Sequence, residues 1–365
     1  MRRIIHVLLI LLGNLAIVIA ALVFIEGLSS YTLLIREFRH NPLRPLRHHT
    51  RYDAALGWVS LPNLDIEDMY GPGVRLRTNG RGFRSSEDLE PARRPDRRRV
   101  VCSGDSVTFG QGVDGEETWC SQLGALDPTL EPVNMGQVGY GVDQAYLWYR
   151  RDADGLEVDL HVFAFITHNF LRLKYRDYMG FGRPVLVVSD GRLEETNVPV
   201  PRRGYVLPAL TLVLSRIQML RTAEIAGKIR ERLPLEPREV PGAWQARSNQ
   251  EVKSVLRALF QELRRYNQER SRSTALVYLP SLEELRSPGN QDLAEWLAFA
   301  EAQAEALDLP FFDLAGELAD LPAHEVGKLF LDGYHLTEAG HALVARRLLE
   351  GLRADPRSGP SLSAE

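Results

Sequence analysis

A serine hydroxyl attacks an ester only when three conditions are met. A base must take its proton, a second group must orient that base, and fixed donors must receive the charge forming on the carbonyl oxygen. Four separated stretches of this chain hold residues of those types. Ser106 lies in "SGDSVTFGQG", directly after the apolar run "RRVVC". Gly139 lies in "NMGQVGYG", Asn169 in "FITHNF", and Asp332 and His335 in "FLDGYHLTEAGH". Ser106 is the candidate nucleophile and His335 the candidate base. Asp332, in the same short turn, is placed to accept from the imidazole and fix its tautomer. The backbone N–H groups of Ser106 and Gly139 and the side-chain amide of Asn169 are the candidate oxyanion donors. One such donor is worth roughly 3–4 kcal/mol in comparable sites.

Such a set works only if distant segments meet. On an open parallel sheet, ligands bind beyond the carboxyl ends of the strands, so each of these residues should follow a strand. The pattern agrees. "RRVVCSG", "EPVNMG", "VDLHVFAFITHN", "STALVYLP" and "PFFDL" read as strands. Between and after them "TWCSQLGAL", "VDQAYLWYRRD", "NQDLAEWLAFAEAQAEAL" and "TEAGHALVARRLLEGL" read as helices. Continuous apolar strands alternating with helices predict an α/β domain, a parallel sheet covered on both faces and joined by right-handed connections.

The four blocks resemble the SGNH (GDSL-type) hydrolase superfamily, in which Ser, Gly, Asn and His come from four separated blocks. The matching residues here are "GDS" (104 to 106), Gly139 as the second glycine of "GQVGYG", Asn169, and "DGYH" (332 to 335). "LTEAGHALVA" is similar to the segment after the family's histidine, and the match covers roughly residues 97 to 170 and 272 to 350. "LGW…PN…TNGRGFR" and "GRLEETNVPVP" resemble a membrane-anchored bacterial branch of the family. The resemblance implies a flavodoxin-like sheet and an ester hydrolase without metal or cofactor. The third block departs from the family's Gly-x-Asn-Asp, with Thr167 in place of the glycine and Phe170 in place of the aspartate. His168 beside it reads as a loop or strand-end residue, His341 as a helix residue that packs or faces solvent, and Trp119 as core. Asp105 and the neighbouring glycines read as shapers of the loop.

The rest of the chain places this domain. After Arg2 and Arg3, residues 4 to 25 are almost wholly apolar, about the 20 residues that cross a bilayer. The run is longer than the apolar core of a cleaved leader, so an uncleaved anchor is expected over 1–26, with the main domain on the extracytoplasmic or periplasmic side. Residues 27–96 read as a basic connector and a small β-rich subdomain, with a hairpin at the Asn-Gly of "VRLRTNGRGFR". Residues 97–352 form the α/β domain. An insertion at about 171–247 is read as a hairpin turning at Asp190-Gly191 followed by a helix over "LPALTLVLSRIQMLRTAEIAGKIRERL". The polar tail 353–365 is expected to be disordered.

With 365 residues, 44% hydrophobic and 25% charged, the chain is long enough for a sizeable core. A net charge of -4 gives no reason to expect nucleic acid, and the arginines of "ARRPDRRR" read as a solvated linker. Two cysteines, Cys102 and Cys120, are too few for a disulfide framework and have no zinc-ligand spacing; a single bridge between them stays open. The expected activity is that of a serine esterase or acyltransferase on ester-linked acyl or acetyl groups of envelope carbohydrate or lipid. The rival reading is a catalytically degenerate envelope protein that keeps the fold to bind glycan or an assembly partner.

Overall fold

The computed structural model describes residues 2–40, 49–178, 181–201, 222, 225, 246–286, 290–319 and 321–359. Helix α1 (Arg2–His40) opens the chain. Its Arg2–Thr32 portion, mean hydropathy 3.0, is long and apolar enough to cross a membrane. The helix runs well past the expected anchor boundary at residue 26, so part of the expected connector is helical.

Short antiparallel pairs follow. Strand β1 (Thr50–Asp53) pairs with β2 (Gly57–Ser60), and β3 (Asp65–Ile66) with β4 (Leu76–Arg77). The hairpin expected at Asn79-Gly80 does not form. Leu76–Arg77 pairs backwards with Asp65–Ile66. The Asn79 side chain instead takes the Arg81 and Phe83 N–H groups at 3.0 and 3.1 Å, so the local amide supplies the bonds a returning strand would have made.

The central sheet is built from β5 (Arg98–Gly104), β6 (Leu130–Gly136), β7 (Leu160–Phe165), and two later strands, β12 (Ser273–Tyr278) and β13 (Phe311–Asp313). All neighbours are parallel, in the order β13-β12-β7-β5-β6. That is the flavodoxin order, and its direction of winding reverses between β5 and β7. Strand residues alternate between two cores, as the pleat requires. Val101, Phe163, Phe165 and Leu276 face one, while Val100, Cys102, Val162 and Val277 face the other.

The first core is covered by α4 (Val142–Asp152), α6 (Asn249–Gln268) and α8 (Gln291–Ala306); the second by α3 (Trp119–Leu126) and α11 (Glu338–Ala354). Helix α6 is an element beyond those expected, and its signals are plain. Ser248 and Glu251 form a capping box, and Val252, Val255, Leu256, Leu259, Phe260 and Leu263 recur at helical spacing and are buried. Each of these side chains contributes roughly 1.5–3 kcal/mol when fully buried.

Between β7 and α6 lie α5 (Thr167–Leu171), a small pair β8 (Asp177–Tyr178) and β9 (Phe181–Gly182), and a hairpin of β10 (Val185–Ser189) with β11 (Arg192–Thr196). The hairpin turns at Asp190-Gly191 as expected, both residues having positive φ. The helix expected within residues 207 to 233 falls almost entirely outside the described residues. The tail expected to be disordered from residue 353 is ordered as far as it is described. Through residue 359 it is folded, because Asp355 caps Arg357, Arg357 reaches Asp308, and the buried Ser358 accepts from Arg98 through its carbonyl. Cys102 and Cys120 form a disulfide, which ties β5 to α3 across the second core.

Candidate active site

Ser106 begins the short helix α2 (Ser106–Phe109) immediately beyond β5. Asp105 caps that helix, its Oδ1 accepting from the Val107 N–H at 2.9 Å. Two glycines let the segment sit close to its neighbours. A Cβ on Gly104 would lie 2.2 Å from Thr108 Oγ1, and one on Gly136, at the end of β6, 2.1 Å from the Phe109 nitrogen. Any side chain at either position would push α2 away from the sheet.

His335 arrives from the loop before α11, anchored by backbone bonds between Leu331 and His335 (2.8 Å) and between Thr337 and Leu329 (2.9 Å). Its Nε2 stands 2.9 Å from Ser106 Oγ and its Nδ1 2.7 Å from Asp332 Oδ2. Asp332 Oδ1 accepts the Tyr334 and His335 N–H groups at 2.8 and 2.9 Å, which locks the turn. Partial burial by itself would raise the Asp332 pKa. The bonds from the His335 ring and from the two N–H groups outweigh it and hold the carboxyl well below the usual carboxylate range. An ionised Asp332 accepts from Nδ1–H, which leaves the Nε2 lone pair for the Ser106 hydroxyl proton.

Asn169 lies in α5, just past β7, on the other side of the winding reversal from Ser106. Its Oδ1 accepts from the Ile166 N–H at 2.8 Å. Its Nδ2 donates to Asp105 Oδ2 at 2.8 Å and approaches the Tyr140 carbonyl at 3.3 Å. Asn169 is therefore joined both to the residue before Ser106 and to the residue after Gly139.

The Gly139 turn is fixed from below. Gln137 N–H donates to Gly104 O at 3.1 Å, and Trp58 Nε1 donates to Val138 O at 2.9 Å. At φ +83° and 3.2 Å from Trp58, a Cβ on Gly139 would be both strained and crowded. Among the described residues, no intramolecular hydrogen bond ends on the Ser106 or Gly139 N–H. Ser106, His335 and Asp332 thus form one hydrogen-bonded run, and Asn169 is tied to the neighbours of Ser106 and Gly139.

Other residues enter that sequence reading did not single out, or read differently. Arg172, one turn after His168, donates to Tyr140 O and lies under the Tyr178 ring at 4.7 Å. His168 is half-buried, its Nε2 3.1 Å from Tyr334 Oη, and burial together with Arg172 lowers its pKa. His341 and Trp119 pack in the core, as expected. His341 Nδ1 accepts from the Trp119 N–H at 3.2 Å, and burial drives the His341 pKa down to about 3. Phe170, where the third block loses its aspartate, is wholly buried against Phe165 and Trp296. Among the described residues, no group of three or more His, Cys, Asp and Glu is placed to hold a metal ion.

No known family profile matches the chain, and no curated protein does. Among solved structures it is similar to a member of the lipolytic protein G-D-S-L family from Veillonella parvula. That likeness has 15% identity over 69% of this chain and 97% of that one, with TM-score 0.41. It is also similar to the acetyl xylan esterase AlAXEase, at 14% identity over 70% and 99% of the two chains, TM-score 0.43. A lipase/acylhydrolase from Enterococcus faecalis is 14% identical over 70% and 95%, TM-score 0.40.

Proposed function

We propose that the protein is a membrane-anchored serine esterase or acyltransferase of SGNH type, working through an acyl-enzyme on Ser106. The observation that carries this reading is the polarity of the Ser106–His335–Asp332 run at 2.9 and 2.7 Å. Ser106 Oγ attacks the ester carbonyl carbon while its proton passes to His335 Nε2. The imidazolium so formed is stabilised by Asp332. The carbonyl oxygen, now negative, is received by the N–H groups of Ser106 and Gly139 and by the Asn169 amide. Collapse expels the alcohol, which takes the proton from His335. Water or a sugar hydroxyl then gives a proton to His335 and attacks the acyl-serine; His335 returns that proton to Ser106 Oγ as the acyl group leaves as acid or as a new ester.

The setting favours envelope substrates, either ester-bearing carbohydrate or lipid. An N-terminal helix able to cross a bilayer and a disulfide, a bond at home in oxidising compartments, both support an extracytoplasmic site. The test uses the full-length chain in detergent, with p-nitrophenyl acetate and longer acyl esters, and labelling by a fluorophosphonate. Ser106→Ala should abolish labelling and lower turnover by at least about 10⁴-fold. If the wild-type chain neither labels nor cleaves any of these esters through Ser106, the esterase reading fails and the binding protein replaces it. A preference for acetyl over long acyl esters would select a deacetylase-like substrate.

A further inference from the structure

Beside Ser106 stands a carboxylate that needs an explanation. Asp105 is 2% exposed, and its Oδ2 accepts from Asn169 Nδ2 at 2.8 Å. An unbalanced negative charge there would oppose the oxyanion that must form a few ångströms away. Arg172 is the one cation paired with it among the described residues, Nη1 lying 3.5 Å from Asp105 Oδ2. The same Nη1 also donates to the Tyr140 carbonyl.

That second bond matters because of how a carboxamide is built. The Asn169 NH₂ group has two hydrogens. One is committed to Asp105 at 2.8 Å, and the other makes a longer bond to Tyr140 O at 3.3 Å. That longer bond is the one an arriving oxyanion can take over, provided the carbonyl keeps another donor. Arg172 approaches Tyr140 O more closely than Asn169 does, and a charged donor makes the stronger bond.

We propose, on the basis of the esterase reading above, that Arg172 is the positioning residue of the oxyanion site. It offsets the Asp105 charge and keeps Tyr140 O bonded, so that Asn169 can turn its second hydrogen from that carbonyl to the oxyanion without leaving the carbonyl unpaired. The fold holds Arg172 firmly in this task. Its own carbonyl accepts from Arg183, and Arg183 pairs with Asp143, both side chains being buried. The Tyr178 ring covers the guanidinium at 4.7 Å.

The test is a double-mutant cycle on the full-length chain in detergent, with p-nitrophenyl acetate as substrate. Arg172→Met should lower kcat by about 30- to 100-fold, with KM changed less than about threefold, because the lost interaction is made in the transition state. Asn169→Ala should lower kcat by about 100-fold. In that background Arg172→Met should cost less than about tenfold more, since only its offset of the Asp105 charge then remains. A merely structural arginine would instead multiply its penalty on that of Asn169→Ala. Arg172→Lys, which restores the charge, should recover part of the loss. If Arg172→Met does not fold, Arg172→Gln carries the same cycle. The proposal is overturned if the Arg172 variant keeps kcat within threefold of wild type, or if the two penalties multiply. A wild-type chain without Ser106-dependent turnover sinks the esterase reading itself and this role with it. An active wild type indifferent to Arg172 sinks only this role.

Discussion

His161 and His335 each hold a serine hydroxyl on Nε2 and a second side chain on Nδ1. At His161 the serine is Ser103, at 2.6 Å, and the second partner is Asn267, at 3.2 Å. At His335 they are Ser106, at 2.9 Å, and Asp332, at 2.7 Å. The two arrangements differ in the direction of their protons. Tyr149 Oη donates to Asn267 Oδ1 at 2.7 Å, so the amide must present Nδ2 to the ring, and His161 Nδ1 accepts. The His161 proton therefore sits on Nε2 and is donated to Ser103, which gains no base. Asp332 does the reverse, and Ser106 gains one.

Burial separates the pair as well. His161 is wholly buried with its ring stacked on Tyr149 at 3.5 Å, and burial, then the nearby Arg272, lowers its pKa well below the ordinary value. The His335 side chain is 16% exposed and Asp332 is half open, where a substrate can arrive. Similar atoms make a structural peg in one place and a candidate catalytic site in the other.

The comparison can be broken most severely by giving His335 the kind of neighbour His161 has. In Asp332→Asn the amide donates to Nδ1 and moves the ring proton to Nε2. Turnover of p-nitrophenyl acetate should drop by about 10⁴-fold with the far-UV dichroism unchanged. A drop below tenfold would mean that Asp332 does not set the tautomer.

A smaller effect concerns the two wholly buried histidines, His161 and His341. Both pKa values are lowered by folding, so both rings stay neutral in the native chain and protonate when it unfolds. The unfolded chain then binds more protons below about pH 6.5, and stability falls as pH falls. The slope approaches about 1.4 kcal/mol per pH unit for each histidine until its folded pKa is reached, which for His341 is about 3. Asp332, whose folded pKa is also depressed, contributes stability above its ordinary value of 3.8 that is lost only at more acid pH. Urea midpoints measured between pH 7 and pH 5 should decline, and His341→Gln should flatten the decline. A pH-independent midpoint would show that the rings are charged in the native state.

The smallest effect separates the two serines. Ser103→Ala leaves a buried His161 N–H unpaired, so it should cost about 1–3 kcal/mol in thermal or urea stability. It should leave ester turnover within about twofold, because His161 is no base for Ser106. A large loss of turnover would join the two networks that the geometry keeps apart.

Much of the fold was legible because its signals are local. Apolar runs such as "RRVVCSG" and "LHVFAF" can only be strands buried on both faces, and "VDQAYLWYRRD" matches α4 residue for residue. The errors also came from local reasoning. Asn79-Gly80 has hairpin chemistry, yet Leu76–Arg77 found its partner ten residues upstream. Helix α6 follows the insertion, whose irregular pattern masks its start. The tail was judged by composition, although Arg98 and Asp308, far away in sequence, hold its first half.

For the site, the sequence by itself determined the candidate types and their order: a serine after the first strand, an asparagine after the third, and Asp-x-x-His before the last helix. The local spacing even set the Asp332–His335 bond, since both residues share one turn. It could not tell which histidine would serve which serine, for Ser103 and Ser106 lie three residues apart and either could have met a ring. Tertiary structure decided that by sheet pairing. The pleat turns Ser103 towards the core beside β7, while the end of the strand carries Ser106 to the edge where His335 arrives. Arg172 became visible only there as well. Its partners, Asp105 and Tyr140, belong to other strand ends, and parallel strands bring their ends together without leaving any mark in the residues between.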